Sequence, residues 1–196
     1  MIHPAAELRF VSPEVGYGVF AREPIAKGTV LWVLCEFDII FTRAQAAAFP
    51  PPYQPILDRY AYTDAENRVI LCWDHGRYLN HSCDPVMVGV GGTIEIAVRD
   101  VAVGEELTCE YAALNLTEAM ECRCGVRGCR RTIGCDDLAA VWPDLDRRVQ
   151  AALPYARSVP QPLLPYSRDA EQFWAWVDGR EPVPSCRTFS MPAGAI

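Results

Sequence analysis

The sequence predicts a mainly β fold of the α+β class, followed by a helical extension at the C-terminus. Short β-forming runs separated by turn residues occupy residues 9–41, and alternating runs broken at glycines occupy residues 86–111. Beyond residue 135 the apolar residues recur at helical spacing instead. A chain of 196 residues, 51% of them hydrophobic, is long enough for one sizeable core and an appendage.

The N-terminal part is predicted to form three short strands. The runs RFV and GYGVFA are β-forming, and Pro24 and Gly28 bracket a turn ahead of a third run at residues 30–34.

A helix and a hairpin are predicted next. Thr42 and Gln45 form a capping box at the start of a short helix, and the prolines at 50–52 end it. Residues 60–73 are predicted to form a hairpin that turns at residues 66–67.

The second β region and the C-terminal region differ in pattern. Strands at 86–111 are interrupted at Gly91 and Gly92 and again at Gly104, whereas residues 136–153 and 167–179 have helical spacing. A proline-rich segment joins the two predicted helices, and the sequence shows no internal repeat.

Charge and hydropathy limit the classes of partner. The net charge of −7 argues against direct nucleic-acid binding, which requires Lys and Arg at the phosphates, and favours a basic protein partner. No apolar stretch is long enough to cross a bilayer, and the N-terminus lacks the features of a signal peptide. We therefore expect a cytoplasmic protein with no membrane partner, while a nuclear location and export by another route stay open.

Nine cysteines, an odd number, favour free thiols and metal over a disulfide framework. Cys122, Cys124 and Cys129 form a C-x-C-x4-C pattern in a glycine-rich segment, which indicates three ligands of a structural zinc ion. Zinc needs a fourth donor, and thiolate is the expected type. Cys83 and Cys135 are both available for that position.

Other polar and thiol residues have simpler interpretations. Cys35, Cys72 and Cys186 are predicted to be small core or surface residues. Tyr60 and Tyr62 fit core or cross-strand positions. The segment RYLNHSCDP at 77–85 could by itself end a helix and start a turn, yet a core needs no such cluster of polar side chains.

Four segments, taken in order, carry a family resemblance. They are GYGVFA, RYLNHSCDP, GEELTCEY and CRCGVRGC. Together they resemble the motifs of SET-domain protein lysine methyltransferases that have a post-SET zinc segment, over about residues 9–134. The glycine motif is weak alone, whereas the other three in this order are specific.

The resemblance implies a fold of several small curved sheets with a pseudoknot, in which the segment ending at Tyr111 passes beneath the Asn-His-Ser-Cys loop. It implies a SET domain at 9–116, a post-SET zinc segment at 117–134 and a helical C-terminal extension at 135–196. Such a fold has a pocket for S-adenosylmethionine on one face and a narrow lysine channel on the other.

The resemblance also implies roles for individual residues. Asn80 would bind the methionine end of the cofactor, and the backbone of His81 would meet the adenine. Cys83 would be the fourth zinc ligand. The remaining cofactor-binding positions would be Gly16, Tyr17, Gly18, Tyr78 and Ile133.

On the substrate side, the resemblance makes Tyr111 the catalytic residue that orients the lysine amine, and Tyr60 a residue of the substrate channel. The channel position that influences the number of methyl groups is Cys109, whose small side chain leaves room for di- or trimethyl-lysine. Two further departures from the family pattern are Val86, where an asparagine is usual, and Glu110, where aspartate is usual. Glu110 has no evident mechanistic consequence.

We therefore expect methyl transfer from S-adenosylmethionine to a lysine of a histone or other basic protein, with zinc in a structural role. The alternative is a catalytically silent SET module that binds a basic tail. A zinc-dependent nucleic-acid module is disfavoured by the acidic net charge.

Overall fold

The computed structural model describes residues 1–191, apart from the side chain of Cys135. Within this range, twelve short strands form five small sheets, and four α-helices are joined by 3-10 turns. The mainly β architecture with a helical C-terminal part, predicted from the sequence, is therefore confirmed.

The strands are β1 (Ala6–Ser12), β2 (Gly16–Ala21), β3 (Val30–Val33), β4 (Ile39–Thr42), β5 (Ala61–Thr63), β6 (Arg68–Leu71), β7 (Asn80–His81), β8 (Met87–Val90), β9 (Ile94–Ala97), β10 (Thr108–Cys109), β11 (Met120–Glu121) and β12 (Thr132–Ile133). The helices are α1 (Arg43–Ala47), α2 (Gln54–Tyr60), α3 (Leu138–Ala152) and α4 (Ala170–Val177).

The local signals that set the strand ends are visible in the backbone. Gly16 has φ of +85°, which lets β1 turn back antiparallel onto β2, and Asn67 has φ of +61° in the turn between β5 and β6. Gly91 and Gly92, both at positive φ, connect β8 to β9. The hairpin and turn predictions for these segments are confirmed.

The capping box forms as predicted, but the sequence analysis missed helix α2. The Gln45 amide donates to Thr42 Oγ1 at 3.2 Å, and the Thr42 amide donates to Gln45 Oε1 at 2.8 Å. The prolines at 50–52 do end α1. Proline is nevertheless well suited to the first turn of a helix, and Pro55 is the second residue of α2.

The parallel pair β7 and β10 joins two segments far apart in sequence. Asn80 lies opposite Thr108 and His81 opposite Cys109, and the Ser82 amide donates to the Cys109 carbonyl at 3.1 Å. This contact is the crossing of the two motif segments that the predicted pseudoknot requires.

The C-terminal helices share a core with the central sheet, whose strand order is β3-β9-β8. Leu145 and Val149 of α3 pack in one buried cluster with Val88 of β8 and Ile96 of β9. The area that these residues remove from water stabilises both regions at once. No helix of the described residues is both long and apolar enough to cross a membrane.

Asn115 holds the end of the described chain against the rest of the fold. It has a left-handed backbone (φ 51°), and its Nδ2 donates to the carbonyls of Thr63 at 3.1 Å and Phe189 at 2.8 Å. Its Oδ1 accepts from the Met191 amide at 2.8 Å. The Phe189 ring covers Gly89 so closely that a Cβ there would lie 3.0 Å from it.

Candidate functional site

A cleft of about 1070 Å³ runs between the motif segments. Most of the residues that the sequence analysis selected line it, namely Tyr17, Tyr60, Tyr78, Asn80, His81, Cys109, Tyr111, Cys122, Cys124 and Ile133. The other selected residues, Gly16, Gly18, Cys83 and Cys129, are not among the lining residues; Gly16 and Gly18 lie on β2 with Tyr17, and Cys83 and Cys129 lie in loops. The volume is large enough for a nucleoside-sized ligand and a side chain.

Asn80 is held in the cleft by two hydrogen bonds. Its Nδ2 donates to the Tyr17 carbonyl at 3.1 Å and to Glu106 Oε1 at 2.7 Å, while Oδ1 takes no part in these bonds. Glu106 was missed by the sequence analysis, although it belongs to the GEEL segment. A Cβ on Gly18 would lie 2.3 Å from Glu106 Oε1, so a larger residue there would displace the Glu106 carboxylate from this contact.

Aromatic rings form one wall of the cleft. Tyr78 makes edge contacts with Tyr17, at 5.9 Å between ring centroids, and with Tyr60, at 5.2 Å. Arg59 lies next to the glycine turn, where its Nη2 donates to the Val15 carbonyl at 3.2 Å. Such rings offer apolar faces to a flat or cationic group.

Tyr111 follows β10 and lies against the β7 segment. Its hydroxyl donates to the Leu79 carbonyl at 2.5 Å, which leaves the lone pairs of the phenol oxygen as acceptors. Burial raises the pKa of Tyr111, so the phenol stays neutral at physiological pH. Its neighbour Cys109 is buried and lines the cleft.

His81 connects Tyr111 to the cysteine cluster. Burial, together with the positive charge of Arg130, lowers the pKa of His81 to about 4, so its ring is neutral. Because the Tyr111 amide donates to Nδ1 at 3.2 Å, we assign the ring proton to Nε2. Nε2 lies 3.3 Å from Cys83 Sγ and can donate to that sulfur.

The four cysteines selected from the sequence come together. The sulfur atoms of Cys83, Cys122, Cys124 and Cys129 all lie within 4.8 Å of one another. Cys122 Sγ is 3.7 Å from Cys83 Sγ and 3.5 Å from Cys129 Sγ. A tetrahedral zinc site with bonds of about 2.3 Å places its sulfurs about 3.8 Å apart, and a disulfide places them far closer.

The cluster has features that suit thiolates. The Arg130 amide donates to Cys83 Sγ and the Arg131 amide to Cys129 Sγ, both at 3.4 Å. Burial raises the pKa of the Cys122 thiol, so a thiolate at Cys122 needs a cation nearby. Cys135, the other possible fourth ligand, has a side chain outside the described residues.

Glu110 makes contacts that the sequence analysis did not predict. Its carboxylate accepts from the Ala112 amide at 2.9 Å and from Arg130 Nη2 at 2.7 and 2.8 Å, and it is 4% exposed. Arg130 follows Cys129, so this buried ion pair ties the cysteine segment to the Tyr111 segment. Glutamate has one methylene more than the usual aspartate and hence a longer reach.

Three other cysteines and Val86 belong to the core. Cys35, Cys72 and Cys186 are buried free thiols, as predicted. Val86 is 2% exposed, and its amide donates to Thr108 Oγ1 at 3.4 Å. At this position, where the family usually has asparagine, the loop is therefore held by apolar packing and this hydrogen bond.

Comparisons with known proteins find similarity over the region that contains the cleft. The SET domain family model matches residues 16–112. The chain is 31% identical over 150 residues, 68% of its length, to the histone-lysine N-methyltransferase ash1 of Drosophila melanogaster, and 27% identical over 145 residues, 65% of its length, to the histone-lysine N-methyltransferase SETD1 of that organism. It is 35% identical over 65 residues, 30% of its length, to the histone-lysine N-methyltransferase ASHH3 of Arabidopsis thaliana.

The chain spans only 6%, 8% and 18% of these three relatives, respectively. Among solved structures, a Plasmodium falciparum protein described as a candidate histone methyltransferase superposes with a TM-score of 0.41 at 20% identity. The superposition covers 56% of this chain and 95% of that one.

Proposed function

The chain belongs to the SET-domain family through residues 16–112, and from that membership we propose that it transfers a methyl group to a lysine of a basic protein. The observation that carries the proposal is the pairing of β7 with β10, which brings Asn80 and Tyr111 to one cleft. We propose that the chain comprises a SET domain at 9–116, a post-SET segment at 117–134 and a helical extension at 135–196.

S-adenosylmethionine, when bound, would supply an electrophilic methyl group on a sulfonium. The cleft fits this ligand because it combines an aromatic wall, an oriented amide and a volume of about 1070 Å³. Asn80 would present its amide oxygen to the amino-acid end, with Glu106 and Tyr17 holding its nitrogen. The turn from Gly16 to Gly18, Tyr78, the His81 backbone and Ile133 would complete the site.

Tyr111 would orient the reacting amine. Because its own proton is used on the Leu79 carbonyl, the phenol oxygen can only accept, so it would receive an amine N–H or a polarised C–H. Tyr60 would contribute to the lysine channel, and Cys109 would leave space beside the amine. These groups act by alignment and by stabilising the charge that develops in the transition state.

Zinc would be held by Cys83, Cys122, Cys124 and Cys129 in a structural role. The ion would neutralise thiolates, and His81 Nε2–H would donate to the Cys83 sulfur. Because Cys83 belongs to the same loop as Asn80, the metal would fix the cofactor side of the cleft.

The test is incubation with radiolabelled S-adenosylmethionine and a panel of core histones and other basic proteins, followed by identification of the labelled lysine. We expect label in at least one protein. Tyr111→Phe should abolish most of it, whereas Tyr166→Phe, at an exposed tyrosine, should not. Peptide binding without any label would instead support the silent binding module.

A further inference from the structure

Glu95 places a carboxylate in the interior of the cleft. It lies on β9, opposite Trp32 of β3 and Gly89 of β8. Directly paired residues of antiparallel strands project to the same face, so Glu95 shares its face with Trp32. On that face the second core cluster contains Trp32, Cys72 and Cys109.

Polar atoms without a partner in the protein are concentrated there. Among the described residues, Glu95 Oε2 and Tyr62 Oη are buried and make no hydrogen bond, and both residues line the cleft. The rings of Trp32 and Tyr62 are in edge contact at 6.2 Å. A buried carboxylate oxygen without a donor is costly, unless a proton or a cation reaches it.

The groups around Glu95 do not neutralise it. Within residues 1–191 it forms no ion pair, and burial by itself raises the pKa of Glu95 to about 7. Burial also raises the pKa values of Tyr62, Cys72 and Cys109, so these neighbours stay neutral near pH 7. The charged groups that act on these neighbours are Asp64 on Tyr62, Glu110 on Cys109, and Asp38 with the N-terminal ammonium, 3.6 Å from it, on Cys72.

We propose that the Glu95 carboxylate accepts the proton of the substrate lysine, from its place in the cleft that Cys109 also lines. The proposal rests on the proposed methyl transfer. Cys109 is two residues before Tyr111 and lines the same cleft as Glu95. Of the charged groups that raise the pKa of the Cys109 thiol, Glu95 contributes most after burial.

The Glu95 carboxylate takes up the proton that the lysine loses. An N–H bond of the ammonium breaks, its electron pair stays on nitrogen as the attacking lone pair, and the proton forms an O–H bond on Glu95. Burial lowers the pKa of an ammonium and raises that of a carboxyl, so the two approach each other in the channel. Glu95 then releases the proton to water in the cleft.

The first measurement is the pH dependence of methyl transfer, on whichever panel protein carries label, by wild type and Glu95→Gln. We expect the wild-type rate to rise through pH 7 and the variant to be about a hundredfold slower at pH 7. The variant should approach wild type near pH 10, where lysine loses its proton unaided. Glu36→Gln, a control at a carboxylate with a side chain 78% exposed, should follow the wild-type profile.

The second measurement does not depend on activity or on the variant's folding. In a carboxyl ¹³C titration of glutamate-labelled wild type, the Glu95 resonance, assigned through its backbone so that it is not confused with Glu110, whose pKa burial also raises, should have a midpoint near pH 7. A Glu95 midpoint below pH 5 would overturn the proposal, as would a Glu95→Gln profile that matches wild type. Failure of wild type to label any protein would refute the methyl transfer itself, whereas an unchanged profile in an active variant refutes only the role of Glu95.

Discussion

Glu95→Gln is expected to change how stability depends on pH, whatever the chain's activity. The folded-state pKa of Glu95 is about 7, against an ordinary value of 4.5. Between these values the folded protein keeps a proton that the unfolded chain has lost. The folded state therefore binds more protons, and the free energy of unfolding falls as pH rises through this window. Glutamine has no such proton to lose.

The change in the free energy of unfolding follows from how far the pKa of Glu95 is raised. A rise in pKa from 4.5 to about 7 corresponds to about 3 kcal/mol, most of which is lost between pH 5 and pH 8. Because the residue as a whole is only partly buried and borders the cleft, water there makes this an upper value.

Urea denaturation of wild type and Glu95→Gln at pH 5 and pH 8 measures this change in the free energy of unfolding. Comparing the pair at each pH cancels the other titrating groups, including the cysteine thiols. The free energy of unfolding of the variant relative to wild type should rise by up to about 2–3 kcal/mol from pH 5 to pH 8. A relative stability that is the same at both pH values, or that falls, refutes the reasoning, and Glu36→Gln should show no such rise.

Three further predictions concern the cofactor, the metal and the product. Asn80→Ala should weaken S-adenosylmethionine binding by about 1–3 kcal/mol in calorimetry, since the ligand loses a polar partner, and unchanged affinity would mean that Asn80 is only structural. Cys83→Ser should lower the zinc content found by elemental analysis, and stripping zinc from wild type should weaken cofactor binding; wild type free of zinc would exclude the site. Mass spectrometry should find di- or trimethyl-lysine with wild type and a shift toward monomethyl-lysine with Cys109→Tyr, because the larger ring narrows the channel. A wild type that stops at one methyl group contradicts this steric argument.

Several contacts could not be read from the sequence. Asn80 and Glu106 are 26 residues apart, and Glu110 and Arg130 are 20 apart, so no local pattern pairs them. Glu95 has an ordinary alternating position in a strand, and only the stacking of the sheet against Tyr62 and Cys109 places it in the cleft. Helix α2 was missed because a run of prolines signals both the end of one helix and the start of another.

The sequence by itself determined the main β and helical regions other than α2, the capping box, the order of the four motifs and three of the four sulfur atoms of the cysteine cluster, and the family resemblance indicated the fourth. Periodicity shows which face of an element is apolar, and residue type shows which chemistry is available, because both are local properties. Only the tertiary structure decided that the Glu95 carboxylate faces the cleft and that Glu110 binds Arg130. Those arrangements depend on where distant segments cross, which is settled by packing over the whole core.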